Sequence, residues 1–195
     1  YANGWYRGPR TVENFAEKAK GVVARGYTAL KFDPFGSNWR MLTPAEFDLS
    51  IDIIRAVREA VGGKVDILIE GHSRFNPPTA LRLAEAMAEF RPGWFEEPLH
   101  HANIAALVEV ARHSPVPIAT GENFSSRYQF AELLKHEVVC ILQPEPINLG
   151  GLFAARKIAD MAEAHYAMLA PHSAQGPLCS AACVQLNASI PNFYI

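Results

Sequence analysis

The chain has 195 residues, 49% of them hydrophobic and 19% charged, with 18 basic and 20 acidic side chains and a formal net charge of −2. That apolar fraction excludes a disordered polymer and is ample for one buried core. The near-neutral balance, without a Lys/Arg cluster, gives no electrostatic reason to expect nucleic acid or an anionic membrane, and no apolar stretch approaches the roughly 18–20 residues that span a bilayer.

In chain order, β-branched or aromatic runs alternate with stretches of helical periodicity. A strand is expected at 1–5, a helix at 11–26, a strand at 29–33 and a helix at 43–61. Then come strand 66–70, helix 78–90, strand 93–96, helix 103–113, strand 117–120 and helix 127–135. Strand 138–143, helix 150–165, strand 167–171, helix 177–188 and strand 192–195 complete the series. Thr11 and Thr43 are expected N-caps, the second with Pro44 at the first helical position and Glu46 three residues on. Gly26 is placed to close the first helix in a left-handed conformation. The first ten residues lack a signal-peptide pattern, and a first residue of Tyr rather than Met suggests a trimmed or partial chain.

Strict alternation argues for parallel strands joined by right-handed crossovers. An open doubly wound sheet would carry a Gly-rich turn after its first strand, and residues 1–10 hold none. The even repeat, ~25 residues per strand–helix unit, suits a closed barrel. The expected fold is therefore α/β, a modified TIM barrel of (β/α)7β type, as a single domain over 1–195. The loops at 35–42 and 100–102 follow strands two and four, where a barrel places its chemistry.

Three acids stand at the carboxyl ends of consecutive expected strands: Glu70, Glu96 and Glu122, at intervals of 26 residues. Any one alone reads better as a solvated loop residue or a helix cap. Three in register would converge, and converging anions in a low-dielectric site need a cation. All-oxygen ligation favours Mg²⁺ or Mn²⁺ over zinc.

Glu145 and His172 end the next two strands, 27 residues apart. A carboxylate beside an imidazole fixes its tautomer and raises its basicity, so His172 is the candidate general base with Glu145 as its partner. His72, two residues past Glu70, shares its face in an extended segment. It reads better as a general acid or base than as a nitrogen ligand in an oxygen-rich site. Lys31 and Asp33 share a face at the end of strand two, either to orient substrate or to pair with each other. His100 and His101 lie in a loop near the site, whereas His113, His136 and His165 fall at helix ends and read as structural.

The three cysteines, Cys140, Cys179 and Cys183, are odd in number and show no paired spacing. Cys179 and Cys183 would share one helical face. With no His or carboxylate nearby in sequence, they read as buried free thiols rather than a zinc site. A reducing cytoplasm is the default expectation for such a chain.

The motifs Phe-Glu-Glu-Pro, Pro-Ile-Ala-Thr-Gly-Glu-Asn, Gln-Pro-Glu-x-x-x-x-Gly-Gly and Ala-Pro-His-Ser resemble the barrel domain of the enolase superfamily, in its mandelate racemase subgroup. Glu70-Gly71-His72, with Arg74 following, is similar to the acid-x-His signature of galactonate dehydratase-like acid-sugar dehydratases. The resemblance runs across the whole chain. It implies Mg²⁺ held by Glu70, Glu96 and Glu122, His172 as the base with Glu145, and His72 as the acid that protonates the departing hydroxyl. Lys31, Asp33 and Arg74 become substrate-binding candidates. Asp33 stands where the racemases carry the second Lys of Lys-x-Lys, which fits dehydration better than two-base racemisation. Glu70 and Glu145 both stand where the family usually has Asp.

The implied reaction removes the proton next to a carboxylate and eliminates the neighbouring hydroxyl, giving a 2-keto-3-deoxy acid. Two alternatives stay open. One is a racemase, epimerase or cycloisomerase working with the same residues; the other is a non-catalytic barrel that binds metal or ligand. The resemblance also implies a homo-oligomer and a small-molecule substrate, with no nucleic acid or membrane partner. It places a capping domain and a C-terminal tail outside these 195 residues.

Overall fold

The computed structural model describes residues Tyr1–Ile195, which divide into two compact units. The first comprises Tyr1–His100 and His113–Pro117, the second His101–Arg112 and Ile118–Ile195.

In the first unit, β1 (Ala29–Phe32), β2 (Asp66–Glu70) and β3 (Trp94–Glu96) pair in parallel, in that order. All three strands are buried except at Asp66, as strands with covered faces require. Helix α1 (Val12–Ala24) follows Thr11, whose side chain accepts the Asn14 amide. Helix α2 (Pro44–Val61) follows Thr43, which accepts the Glu46 amide. Both caps match the sequence expectation, and Gly26 follows α1 at φ 89°. Helix α3 (Pro77–Met87) is capped by Asn76 and runs into a 3-10 turn, Ala88–Phe90.

In the second unit, β4 (Ile118–Thr120), β5 (Ile141–Leu142) and β6 (Met168–Leu169) also pair in parallel. This unit holds helix α4 (Ile104–His113) except its last residue, with α5 (Arg127–Leu134), α6 (Leu152–Ala164) and α7 (Pro177–Ser189). Ser126 and Gln129 form a reciprocal capping box at the start of α5. The small hydrophobic or thiol residues Cys179, Cys183 and Leu186 form the buried face of α7.

Six strands form where eight were expected. The segment 1–5 contributes only a bridge at Ala2, whose N–H and carbonyl bond Ala29 and Lys31. Its aromatics serve packing instead: Tyr1 packs edge-on against Trp94, and Trp5 packs on Phe32 while its Nε1 donates to the Lys31 carbonyl. The last segment likewise forms a single bridge, Phe193 to Leu169. The expected strand 138–143 shrinks to Ile141–Leu142, because its ladder extends only as far as its pairings with Ala119 and Thr120. Cys140, just before this short strand, is exposed. No helix is long and apolar enough to cross a membrane.

Candidate active site

The β2–β3 register sets Glu70 directly opposite Glu96 in the first unit. Both carboxylates are buried, at 2% and 0% exposure, and adjacent strands lie ~5 Å apart. Two anions at that spacing repel strongly unless compensated. Lys31, on β1 opposite Leu68, sends its ammonium up to both: Nζ donates to Glu70 Oε2 at 2.8 Å and to Glu96 Oε1. Burial would lower the Lys31 pKa, but the Glu96 and Glu70 carboxylates override it and hold the ammonium above the usual lysine range. Glu70 Oε1 also accepts the His72 amide at 2.8 Å, and Glu96 Oε2 accepts Trp94 Nε1 at 2.8 Å.

One ammonium against two buried carboxylates leaves net negative charge, with oxygen the only donor element on the acidic side. That chemistry fits a hard divalent cation such as Mg²⁺. Gly71 is required where the chain leaves β2, because a Cβ there would lie 2.8 Å from the Glu97 carbonyl oxygen.

Lys31 and Asp33 do not pair with each other. Asp33 Oδ2 lies 2.6 Å from His72 Nδ1, and Arg74 Nη2 reaches both Asp33 oxygens at 2.6 Å. Asp33 Oδ1 also accepts the Phe35 amide. Burial opposes the Asp33 charge, yet the His72 ring and the Arg74 guanidinium hold its carboxyl below the usual range. His72 itself is half exposed at φ 49°. Arg74, the expected substrate contact, directs its remaining donors to the Gly71 and Gly36 carbonyls, so it anchors Asp33 within the loop. Ser73 and Glu97 were missed by the sequence reading. The Ser73 hydroxyl donates to the fully buried Glu97 at 2.7 Å, a contact with no periodic signal to reveal it.

In the second unit, His172 follows β6 and Glu145 follows β5. His172 Nδ1 bonds Glu145 Oε2, and His172 Nε2 lies 3.2 Å from Glu122 Oε2. Glu145 is 1% exposed and His172 partly so, the arrangement of an imidazole oriented from behind by a buried anion. Glu122 stands just past β4, reached through Gly121 at φ 124°, where a Cβ would meet the Phe130 ring at 2.6 Å. Asn148, also missed from sequence, donates to the Glu122 carbonyl at 3.0 Å and accepts Gln175 Nε2 at 2.8 Å.

The reading of Cys179 and Cys183 as thiols remote from acid or imidazole needs correction. The Cys179 thiol donates to Glu145 Oε1 at 3.2 Å, and the Cys183 thiol to the His172 carbonyl at 3.4 Å. They are 34 and 11 residues from those partners, so no local pattern could show it. Of the remaining histidines, His101 packs edge-on against Phe124, His165 caps α6, and His136 lies 4.0 Å from Glu132.

The family model described as Enolase C-terminal domain-like matches residues 14–195. A D-gluconate dehydratase from Thermoproteus tenax is 44% identical over 194 residues, covering 100% of this chain and 39% of the relative. A D-gluconate/D-galactonate dehydratase from Picrophilus torridus is 34% identical, covering 100% of this chain and 50% of the relative. The chain thus spans half or less of these relatives' length. Among solved structures, a mandelate racemase/muconate lactonizing enzyme-like protein from Roseovarius sp. TM1035 matches with TM-score 0.93 and 38% identity, over 99% of this chain and 52% of that one. The α/β barrel class read from the alternation of strands and helices agrees with this family.

Proposed function

We propose that this chain, which belongs to the enolase C-terminal domain-like family, is the catalytic barrel of a Mg²⁺-dependent acid-sugar dehydratase. The observation that carries the reading is the His172–Glu145 pair, an imidazole held by a buried carboxylate with its other nitrogen turned toward Glu122. The relatives named for gluconate and galactonate dehydration support the substrate class. A 26-residue rhythm of acids supports Glu70, Glu96 and Glu122 as the residues that would hold the metal. Bound there, Mg²⁺ supplies positive charge for the substrate carboxylate as negative charge builds at the adjacent carbon.

The chain's own residues do the rest. With His172 Nδ1 held by Glu145, Nε2 is the nitrogen left to take the proton next to the substrate carboxylate, exchanging its 3.2 Å contact with Glu122 for the substrate. His72 keeps Nδ1 on Asp33, which leaves its Nε2 to deliver a proton to the departing hydroxyl. Hydrogen leaves one carbon and hydroxide its neighbour, together one water. The resulting enol tautomerises to the 2-keto-3-deoxy acid. Lys31 neutralises part of the acidic cluster, and Arg74 fixes Asp33. With no second lysine beside Lys31, one-sided proton removal is favoured over two-base racemisation. A capping domain outside these residues, a homo-oligomer and a cytoplasmic location belong to the same reading.

The test uses the full-length protein with Mg²⁺ and a panel of aldonic and aldaric acids, following 2-keto-3-deoxy acid colorimetrically and deuterium uptake from D₂O by NMR. Keto-acid formation is the expected result. Deuterium uptake without keto acid would replace the dehydratase by a racemase or epimerase. Silence in both, with Mg²⁺ bound, would leave a cycloisomerase or a non-catalytic barrel.

A further inference from the structure

Glu145 is buried with few donors. Its Oε2 is taken by His172 Nδ1, and its Oε1 accepts from the Cys179 thiol at 3.2 Å. Cys179 is fully buried on the face of α7 that also presents Cys183. Cys183 in turn donates to the His172 backbone carbonyl at 3.4 Å. One helix therefore touches both members of the acid–imidazole pair, each through a thiol.

We propose that Cys179 is a positioning residue for proton abstraction: its thiol orients the Glu145 carboxylate, which orients His172. The inference rests on the reading of His172 as the base. A buried carboxylate oxygen left without a donor is costly and free to rotate toward another partner. A thiol is a weak donor, so it sets the carboxylate plane while leaving most of the negative charge facing the imidazole. Burial, with Cys179 beside it, pushes the Cys183 thiol up to about 12. A thiol buried in the core and set 3.2 Å from a carboxylate oxygen is placed as a donor rather than as an accessible nucleophile.

The experiment compares Cys179→Ala and Cys179→Ser in the full-length protein. The Ala variant is expected to lose about tenfold in kcat with KM changed less than about threefold, and the Ser variant to recover most of that loss. A role in packing alone predicts no recovery in the Ser variant, since there the hydroxyl would act only through the space it fills. Ser no better than Ala, or Ala at the wild-type rate, would overturn the proposal.

A second measurement needs no substrate. The His172 Nδ1 proton, bonded to Glu145, should give a downfield ¹H resonance identified by its loss in His172→Asn. It should shift in Cys179→Ala and return toward its original position in Cys179→Ser; an unmoved resonance in the Ala variant refutes the thiol's role. If the wild type turns over no acid sugar, the dehydratase reading fails, while this resonance still decides whether Cys179 orients the pair. If the Ala variant does not fold, the Ser variant's resonance and rate decide the question: a wild-type-like resonance supports the donor, a displaced one refutes it.

Discussion

Asp33 Oδ2 lies 2.6 Å from His72 Nδ1, joining residues 39 apart in sequence. The first unit therefore holds an imidazole oriented by a carboxylate, as the second does with His172 and Glu145. The two pairs differ in burial. Glu145 is 1% exposed and approached by a thiol, whereas the Asp33 side chain is 12% exposed and clamped by Arg74 through both oxygens. A base benefits from a nearby buried anion, whose weakly screened charge stabilises the imidazolium formed as the proton is taken. An acid needs a partner that keeps its ring aimed while its other nitrogen exchanges protons with solvent.

Asp33→Asn should weaken the protein with a characteristic pH dependence. The folded-state Asp33 carboxyl is depressed, despite burial, by His72 and Arg74. Such a group adds stability above the unfolded carboxyl value of about 3.9 and loses it as pH falls through the folded value. The wild-type advantage in denaturant titrations should be full at pH 6 and shrink below about pH 4. An advantage that stays constant down the acid limb would remove Asp33 from the account.

His172→Asn should abolish deuterium exchange next to the carboxylate and lower kcat by about 10²–10⁴-fold. Glu145→Gln should lower the rate through the same atom, because an amide cannot hold Nδ1–H with an anion. The NMR exchange assay reads both. Exchange at the wild-type rate in His172→Asn would assign the base elsewhere.

His72→Asn should separate the two half-reactions. Proton exchange at the carbon next to the carboxylate should persist, while water loss should fall by about 10²-fold or more. Parallel loss of both would mean His72 acts before elimination.

Lys31→Met removes the ammonium that bridges Glu70 and Glu96. Leaving two buried carboxylates without it should cost about 3–5 kcal/mol without metal. Saturating Mg²⁺ should restore part of the loss, since a ligand that binds only the folded state adds stability by mass action. Calorimetry with EDTA and with Mg²⁺ checks this. An equal fall in Tm under both conditions would count against a cation among these acids.

Gly121→Ala places a Cβ 2.6 Å from the Phe130 ring at φ 124°. Strain and overpacking together should cost about 2–4 kcal/mol. Because Gly121 immediately precedes Glu122, Mg²⁺ affinity should fall as well, measurable by isothermal titration.

Much of the architecture was legible from local pattern. The β2 bounds matched the sequence expectation, and the Thr11 and Thr43 caps worked as expected, because capping needs only a hydroxyl and a nearby amide. The aromatic run at 1–5 misled, since Tyr1 packs against Trp94 and Trp5 against Phe15 and Phe32 rather than joining a ladder. The β-branched run at 138–139 misled because strand length is set by what the partner strand can pair, which lies outside the window being read.

By itself the sequence determined which acids and imidazoles stand at strand ends, because one strand–helix unit repeats at a near-constant length and the same place recurs in each. Only the tertiary structure decided who binds whom. Lys31 reaches Glu70 and Glu96 rather than Asp33, Arg74 holds Asp33, and Cys179 donates to Glu145 across 34 residues. Those choices depend on interstrand register and helix rotation, which bring side chains within hydrogen-bond reach without leaving a trace in local sequence spacing.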